Sequence, residues 1–306
     1  MQKDTILSLL NNLKDPLSDN IRKKADQVAG YDTPVLLYGE TGTGKDFWAD
    51  YINKTDGRGE ILYLNCGDVP ENLLESEWFG YKKGAFTGAE EEYGGKWETA
   101  GEGTIFLNQI DLLSINMQSR LLRIIERKKY YPLGAAEESE IKARFIFSTD
   151  YDIEEKVVSG KFRRDLFYRI STFSIRIPPL RERKKDIIPL IKFFASKKNL
   201  KLRLSGKGEK KLLLYRWDGN IREIENFVNN ISIIKDSIED KDADHLSFNL
   251  MRSETSIYDS DLPLKELEKR YINHLIKKHK NKSKVAKILG ISRKSLYNRI
   301  ERHGKD

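Results

Sequence analysis

One cysteine, Cys66, stands among 306 residues, so no internal disulfide can form. With only four histidines there is also no Cys/His cluster at zinc-ligand spacing. No apolar stretch reaches the roughly 18 residues that a membrane-spanning helix needs. Residues 1–14 lack the long apolar run of a signal peptide. These absences exclude a disulfide-stapled secreted domain, a zinc module and a helical membrane protein. The expectation is a soluble, cytoplasmic chain with no membrane partner. A composition of 39% hydrophobic and 33% charged residues excludes a wholly disordered chain or a coiled-coil polymer. At roughly 100–200 residues per domain, the length suggests two domains with room for a small third.

What charge there is lies unevenly. Residues 262–306 hold 14 Lys+Arg against 4 Asp+Glu, whereas residues 1–261 hold 41 against 43. The whole positive excess therefore sits in the last 45 residues, which points to a polyanion-binding segment.

Ile6, Leu9, Leu10, Leu13 and Leu17 recur at helical spacing and predict an amphipathic lead-in helix over 1–30. Short, nearly continuous apolar runs at 35–38, 61–65, 104–107 and 143–148 read as buried strands. They alternate with helical patterns at 46–53 and 116–128. That alternation predicts an α/β fold with a parallel sheet covered on both faces. Residues 184–234 read as almost entirely helical, and 235–261, rich in Asp, Ser and Glu, reads as a linker.

Between the first strand and its helix lies Gly39-Glu40-Thr41-Gly42-Thr43-Gly44-Lys45-Asp46, a match to G-x-x-x-x-G-K in the strand–turn–helix context the motif requires. Glycines let backbone N–H groups approach phosphate oxygens, and the helix N-terminus adds its positive end. Lys45 would neutralise the terminal phosphates. Asp46 stands where a Ser or Thr hydroxyl would ordinarily help to hold Mg²⁺.

At the C-terminal end, two short helices, 282–289 and 292–303, flank Gly290-Ile291 with helix-turn-helix spacing. A preceding helix over 265–280 places Leu264, Leu267, Tyr271, Leu275 and Ile276 on one face. Ser292 is a candidate N-cap, and Leu296 and Ile300 are expected to face inward. Arg293, Lys294, Tyr297, Asn298 and Arg299 are then candidates for a DNA groove, with Lys282, Lys284 and Lys287 on phosphates.

The motifs together resemble the sigma-54-dependent transcriptional activators, bacterial enhancer-binding proteins with an AAA+ P-loop module, a helical lid and a Fis-type helix-turn-helix. The sharpest match is the hexapeptide Gly84-Ala85-Phe86-Thr87-Gly88-Ala89, which in that family is a mobile loop contacting the sigma factor. Leu64-Asn65-Cys66, Gly160–Leu166, Pro178–Arg183 and Trp217–Glu223 follow in the family's order, and 286–296 resembles the Fis-type reader. The implied domains are 1–183 for the α/β nucleotide-binding subdomain, 184–235 for the lid, 236–261 for an acidic linker and 262–306 for the DNA anchor. The resemblance makes Asn65 the switch residue, Arg163 and Arg169 arginine fingers for a neighbouring subunit, and Arg222 the lid's sensor. It implies ATP and Mg²⁺ as cofactors, with Asp46 and position 108 at the metal. The implied partners are sigma-54, RNA polymerase and double-stranded enhancer DNA. The implied assembly is a homo-oligomeric hexamer or heptamer ring, dimeric on DNA.

Two positions depart from the family. Asn108-Gln109 replaces the Asp-Glu pair that follows the third strand, and Ser148-Thr149-Asp150 carries an acid where the family ends in Asn. A neutral amide holds a hard cation less well than a carboxylate. Gln109 cannot take a proton at neutral pH, and loss of a general base costs about 10²–10⁴ in rate. An ATP-dependent activator is thus the first reading. The alternative is an ATP-binding, hydrolysis-deficient DNA-binding regulator, its strand pair degenerate or engineered.

Overall fold

Proline opens the first long helix. In the computed structural model, which describes residues 9–10, 12–68, 70–245, 268, 271–272, 275–276 and 281–304, α1 (Pro16–Ala29) starts at Pro16. Its N-cap is Asp15, whose carboxylate accepts the Leu17 N–H at 3.1 Å. The continuous lead-in helix read over 1–30 is therefore broken. Leu9, Leu10 and Asn12 are helical and 13–15 are not, because Pro16 has no N–H to donate and crowds the preceding turn. Ile6 lies outside the described residues.

β1 (Val35–Tyr38), α2 (Lys45–Asp56), β2 (Ile61–Asn65), α3 (Glu71–Phe79), α4 (Lys96–Thr99) and β3 (Thr104–Asn108) follow in order. Next come α5 (Ile115–Arg127), β4 (Lys129–Tyr130), β5 (Ser139–Glu140) and β6 (Arg144–Thr149), then α6 (Ile153–Val158), α7 (Arg164–Ile170) and β7 (Phe173–Arg176). Five strands form a parallel sheet in the order β2-β3-β6-β1-β7. The four strands read from apolar runs are all present. β7, only four residues long, was not among them. Because alternate residues of a strand face opposite ways, the sheet feeds two cores. Val35, Leu37, Phe106 and Ile146 enter one. Leu36, Ile105, Leu107, Phe145 and Phe147 enter the other, with α5.

After β7 come α8 (Ile187–Lys197), β8 (Lys201–Arg203), α9 (Gly206–Leu214), α10 (Asn220–Ile234), β9 (Ser237–Glu239) and α11 (Asp240–His245). Leu190, Leu212, Trp217 and Ile224 from this region complete the first core. The all-helical reading of 184–234 missed β8, which pairs in parallel with β9. The linker reading of 235–261 is likewise corrected over 237–245. Ile238 is fully buried, and Asp240 accepts from the Ser205 backbone N–H at 2.8 Å, which ties the segment down despite its polar composition. By compactness the chain divides into Met1–Leu246 and Ser247–Asp306. Among the described residues no helix is long and apolar enough to cross a membrane.

In the second unit α12 (Lys282–Ile288) and α13 (Arg293–Gly304) flank a turn in which Gly290 has φ +67°. Asn281 caps the first helix and Ser292 the second, its hydroxyl accepting the Ser295 N–H at 3.1 Å. Ile272, Leu275, Val285, Ala286 and Leu296 form the core. Leu264 and Leu267, and the side chains of Lys287 and Ile300, lie outside the described residues.

One buried cation holds the first unit's layers in place. Arg144, fully buried at the start of β6, donates to the carbonyls of Val28 and Ala29, both at 2.7 Å, and pairs with Asp56 at 3.0 Å. It thus satisfies the open C-terminal carbonyls of α1 and meets the last residue of α2. Arg144→Ala would strand the Ala29 carbonyl, since Val28 keeps the Tyr31 N–H at 3.2 Å, and would leave Asp56 partly uncompensated. It is expected to lower unfolding stability by about 3–5 kcal/mol in urea titrations, with Arg144→Lys recovering less than half.

Candidate functional site

The parallel sheet sets the C-terminal ends of β1, β3 and β6 side by side, where α/β folds bind their ligands. There the chain encloses a cavity of about 450 Å³, a size suited to a small molecule. Thr41, Gly42, Thr43, Gly44, Lys45 and Asp46 line one side, and Asn65, Asn108, Gln109 and Asp150 come from the other strand ends. Ile221 and Arg222 from α10 close the third side. Five separate stretches of sequence are thereby brought together.

Lys45, in the first turn of α2, is only 8% exposed. Its ammonium donates to the carbonyl of Gly39, to the carbonyl of Glu40 at 3.3 Å and to Asp150 Oδ1 at 2.8 Å. Asp150 Oδ2 accepts the Thr41 hydroxyl at 3.2 Å. The loop's close fit depends on Gly42. It has φ +78°, and a Cβ there would sit 2.5 Å from the Gly219 carbonyl oxygen. That approach lets the Ile221 N–H, at the start of α10, donate to the Gly42 carbonyl at 2.8 Å.

Asn108 and Gln109 occupy the end of β3. Asn108 Oδ1 accepts the Ser148 hydroxyl from the neighbouring strand, and Ser148 Oγ also accepts the Gln109 backbone N–H at 3.3 Å. Gln109 has φ +56°, a costly backbone for a side chain of this size and one that clusters at functional positions. Asn65 pairs in register with Asn108, and a Cβ on Gly67 would lie 3.7 Å from both Asn65 Oδ1 and Gln109 Oε1. The expected switch residue and the residue it would orient line the same cavity, with the Asn65 amide donating to Asp68 at 2.7 Å. Burial pushes the Asp46 carboxyl above its usual range, against the pull of Lys45 and Arg222.

Glu40, expected as part of the phosphate turn, is joined here by Arg181 and Asn220, to which the sequence gave no individual role. Glu40 takes a bidentate grip from Arg181 at 2.7 and 2.5 Å, and Arg181 holds its carboxyl below the usual range. Asn220, fully buried, donates to the Thr41 carbonyl at 3.0 Å and accepts the Leu180 N–H at 2.8 Å. Asp50, Tyr63 and Glu225 line the cavity as well. Only the i, i+4 spacing of Asp46 and Asp50 on α2 could have signalled one of them.

Arg163 and Arg169 do not line this cavity. Arg163 forms a two-pronged pair with Asp165 at 3.0 and 2.7 Å, and Arg169 is exposed without an ion pair among the described residues. Gly84 to Ala89 form a separate excursion. Its base is held by the Tyr81–Tyr93 bridge and by the Lys82 N–H donating to the Leu133 carbonyl at 2.9 Å. Across its neck the Gly84 N–H meets the Ala89 carbonyl at 2.8 Å, with Ala85 and Thr87 in the turn between. Gly88 has φ +100° and open space around it. Phe86, 46% exposed, rests edge-on against Tyr81 with ring centroids 4.9 Å apart.

In the second unit Arg293, Lys294, Tyr297 and Asn298 are exposed on α13, as is Lys282 at the start of α12. The Lys282 ammonium lies 4.7 Å from the centre of the Tyr297 ring. Lys284, on the same helix, is exposed as well. Arg299 is ion-paired with Glu268, which draws its guanidinium onto the preceding helix instead of leaving it free for a groove.

Residues 12–176 match the family model of the sigma-54 interaction domain, 181–261 the AAA+ ATPase lid domain, and 263–303 the Fis family of bacterial regulatory proteins. The chain is 38% identical over 221 residues to the transcriptional regulatory protein FlbD of Caulobacter vibrioides, covering 70% of this chain and 49% of that one. It is 40% identical over 226 residues to the anaerobic nitric oxide reductase transcription regulator NorR of Salmonella paratyphi C, covering 72% and 45%. It thus spans about half the length of the curated relatives it matches. The crystal structure of NtrX from Brucella abortus in complex with ADP superposes with a TM-score of 0.70 at 24% identity, covering 95% of this chain and 68% of that one. This likeness shows the shared fold.

The Glu40–Arg181 pair gives a pH-dependent expectation. A carboxyl whose folded pKa is depressed adds stability above its unfolded pKa, about 4.3, and loses it as pH falls through the lower folded value. Both partners are about one-third exposed, so the contribution is on the order of 1 kcal/mol. Urea midpoints of the unmodified chain and Glu40→Gln are expected to differ at pH 7 and to converge below about pH 4.

Proposed function

The chain belongs to the sigma-54 interaction domain family of AAA+ regulators, and on that premise we propose that it is an ATP-dependent activator of sigma-54 RNA polymerase, anchored to enhancer DNA by its Fis-type helices. The observation that carries this reading is the convergence of the Lys45 cradle, Asn65, Gln109 and Arg222 on one cavity, in the same chain as a Gly-Ala-Phe-Thr-Gly-Ala tip that exposes Phe86 and Thr87.

Each residue has a chemical part in that reading. The glycine-rich turn and the α2 N-terminus receive phosphate oxygens, and Lys45 supplies the positive charge. Arg222 reaches the cavity from the lid and reports on the same phosphates. Arg169, and Arg163 once it exchanges Asp165 for a phosphate, would serve the cavity of a neighbouring copy in a ring, where a guanidinium's fixed fork suits phosphate. Among the described residues no group of three or more His, Cys, Asp or Glu side chains could hold a metal alone. Mg²⁺ that accompanies a nucleotide usually takes one or two carboxylates plus phosphate oxygens. When bound, the cation would neutralise charge on the phosphates, and Asp46 is one carboxylate placed to face it.

The two amides at the end of β3 favour a second reading, an ATP-binding regulator that does not turn over its nucleotide. Both Asn108 and Gln109 line the cavity where a base would have to act, and neither is ionised. Phosphate release at saturating ATP separates the readings. If the amides silence hydrolysis, Asn108→Asp with Gln109→Glu is expected to raise turnover by about 10²–10⁴. Comparable turnover in both proteins would remove the second reading.

The tip is tested by sigma-54 capture with a non-hydrolysable ATP analogue. Phe86→Ala is expected to abolish capture while leaving nucleotide affinity nearly unchanged; undiminished capture would reject the loop assignment. Deleting 262–306 is expected to remove enhancer binding in electrophoretic shift assays without weakening nucleotide binding, because the positive excess lies there.

A further inference from the structure

We propose that Asp150, at the end of β6, and not Asn108, at the end of β3, is the strand-end residue that holds the divalent cation accompanying the nucleotide. The inference rests on the nucleotide reading above and assigns the cation's partner within that site.

Three observations converge. Asn108 offers a single neutral carbonyl oxygen, and that oxygen already accepts the Ser148 hydroxyl. A hard cation gains little from an oxygen without formal charge. Asp150 carries the charge that position 108 lacks, and its side chain is 42% exposed toward the cavity it lines. Finally, Asp150 already faces the phosphate-binding group, with Oδ1 on the Lys45 ammonium at 2.8 Å and Oδ2 on the Thr41 hydroxyl at 3.2 Å.

This arrangement gives the carboxylate two states. Without ligand, Asp150 balances Lys45, whose ammonium is nearly buried and needs a counter-charge. Phosphate oxygens compete for the same ammonium. Once they take it, Asp150 is left as an unpaired carboxylate beside the phosphates, an arrangement that repels unless a cation sits between them. The cation therefore compensates a repulsion peculiar to this chain, and nucleotide affinity should depend on it strongly. Acid and amide have in effect changed places between the adjacent strands β3 and β6.

The test is isothermal titration of the full chain with a non-hydrolysable ATP analogue, once with Mg²⁺ and once with EDTA. For the unmodified chain Mg²⁺ is expected to tighten binding at least about tenfold. Asp150→Asn is expected to bind as well as or better than the unmodified chain in EDTA, since the repelling charge is gone, and to lose most of the Mg²⁺ effect. The double variant Asn108→Asp/Asp150→Asn returns the acid to β3 and is expected to regain the Mg²⁺ effect. This supplies the reading even if the single variant folds poorly. A full Mg²⁺ effect in Asp150→Asn, or a double variant no more Mg²⁺-dependent than the single one, would overturn the assignment. Failure of the unmodified chain to bind the analogue in either buffer would instead overturn the nucleotide reading itself, and the cation assignment with it.

Discussion

An ammonium withdrawn from water must be surrounded by oxygen, and in the first unit the burial of Lys45 places that demand at the point where three strands end. Two backbone carbonyls from the preceding turn and one carboxylate from β6 meet it. The turn can supply those carbonyls only if it wraps back over the lysine, which needs glycines and a helix starting at once. The carboxylate can arrive only if β6 lies beside β1, which it does, Tyr38 standing opposite Thr149 in register. The sheet's order and the cavity's chemistry are thus two sides of one electrostatic requirement.

The same turn is strapped to the lid by groups that never touch the cavity's centre. Arg181 grips Glu40, Asn220 reaches Thr41, and the fully buried Arg183 donates to the Thr43 carbonyl at 2.6 Å. Arg183 lies near Asp186, whose carboxylate also accepts the backbone N–H groups of Lys14 and Asp15 at 2.7 and 2.8 Å. The segment before α1, the phosphate turn and the start of α10 are therefore linked through a short run, 180–186, whose first half carries the family resemblance but whose partners the sequence does not name. These bonds fix the turn's position against the lid without any of them entering the cavity.

Much was legible from local pattern because the physics there is local. A strand buried on both faces is largely apolar, so 35–38 and 143–148 stood out despite Arg144 and Ser148, whereas Phe173–Arg176 alternates over only four residues and did not. Ser292 before α13 and Gly290 in the turn are decided by their own backbone geometry, so the helix-turn-helix could be read directly. Pro16 was equally local evidence, and the helical spacing of the leucines around it concealed the break.

What the chain's order of residues determined by itself is the phosphate turn, the strand–helix alternation, the Gly84–Ala89 turn and the basic C-terminal helices, because each depends on neighbours within a few positions. Tertiary structure alone decided that Asp150 faces Lys45, that Glu40 is held by Arg181, that Arg299 leans on Glu268 and that 237–245 folds against the lid. These partners are brought together by strand order and helix packing, and Coulomb attraction and hydrogen bonding act over a few ångströms of space, whatever the separation along the chain.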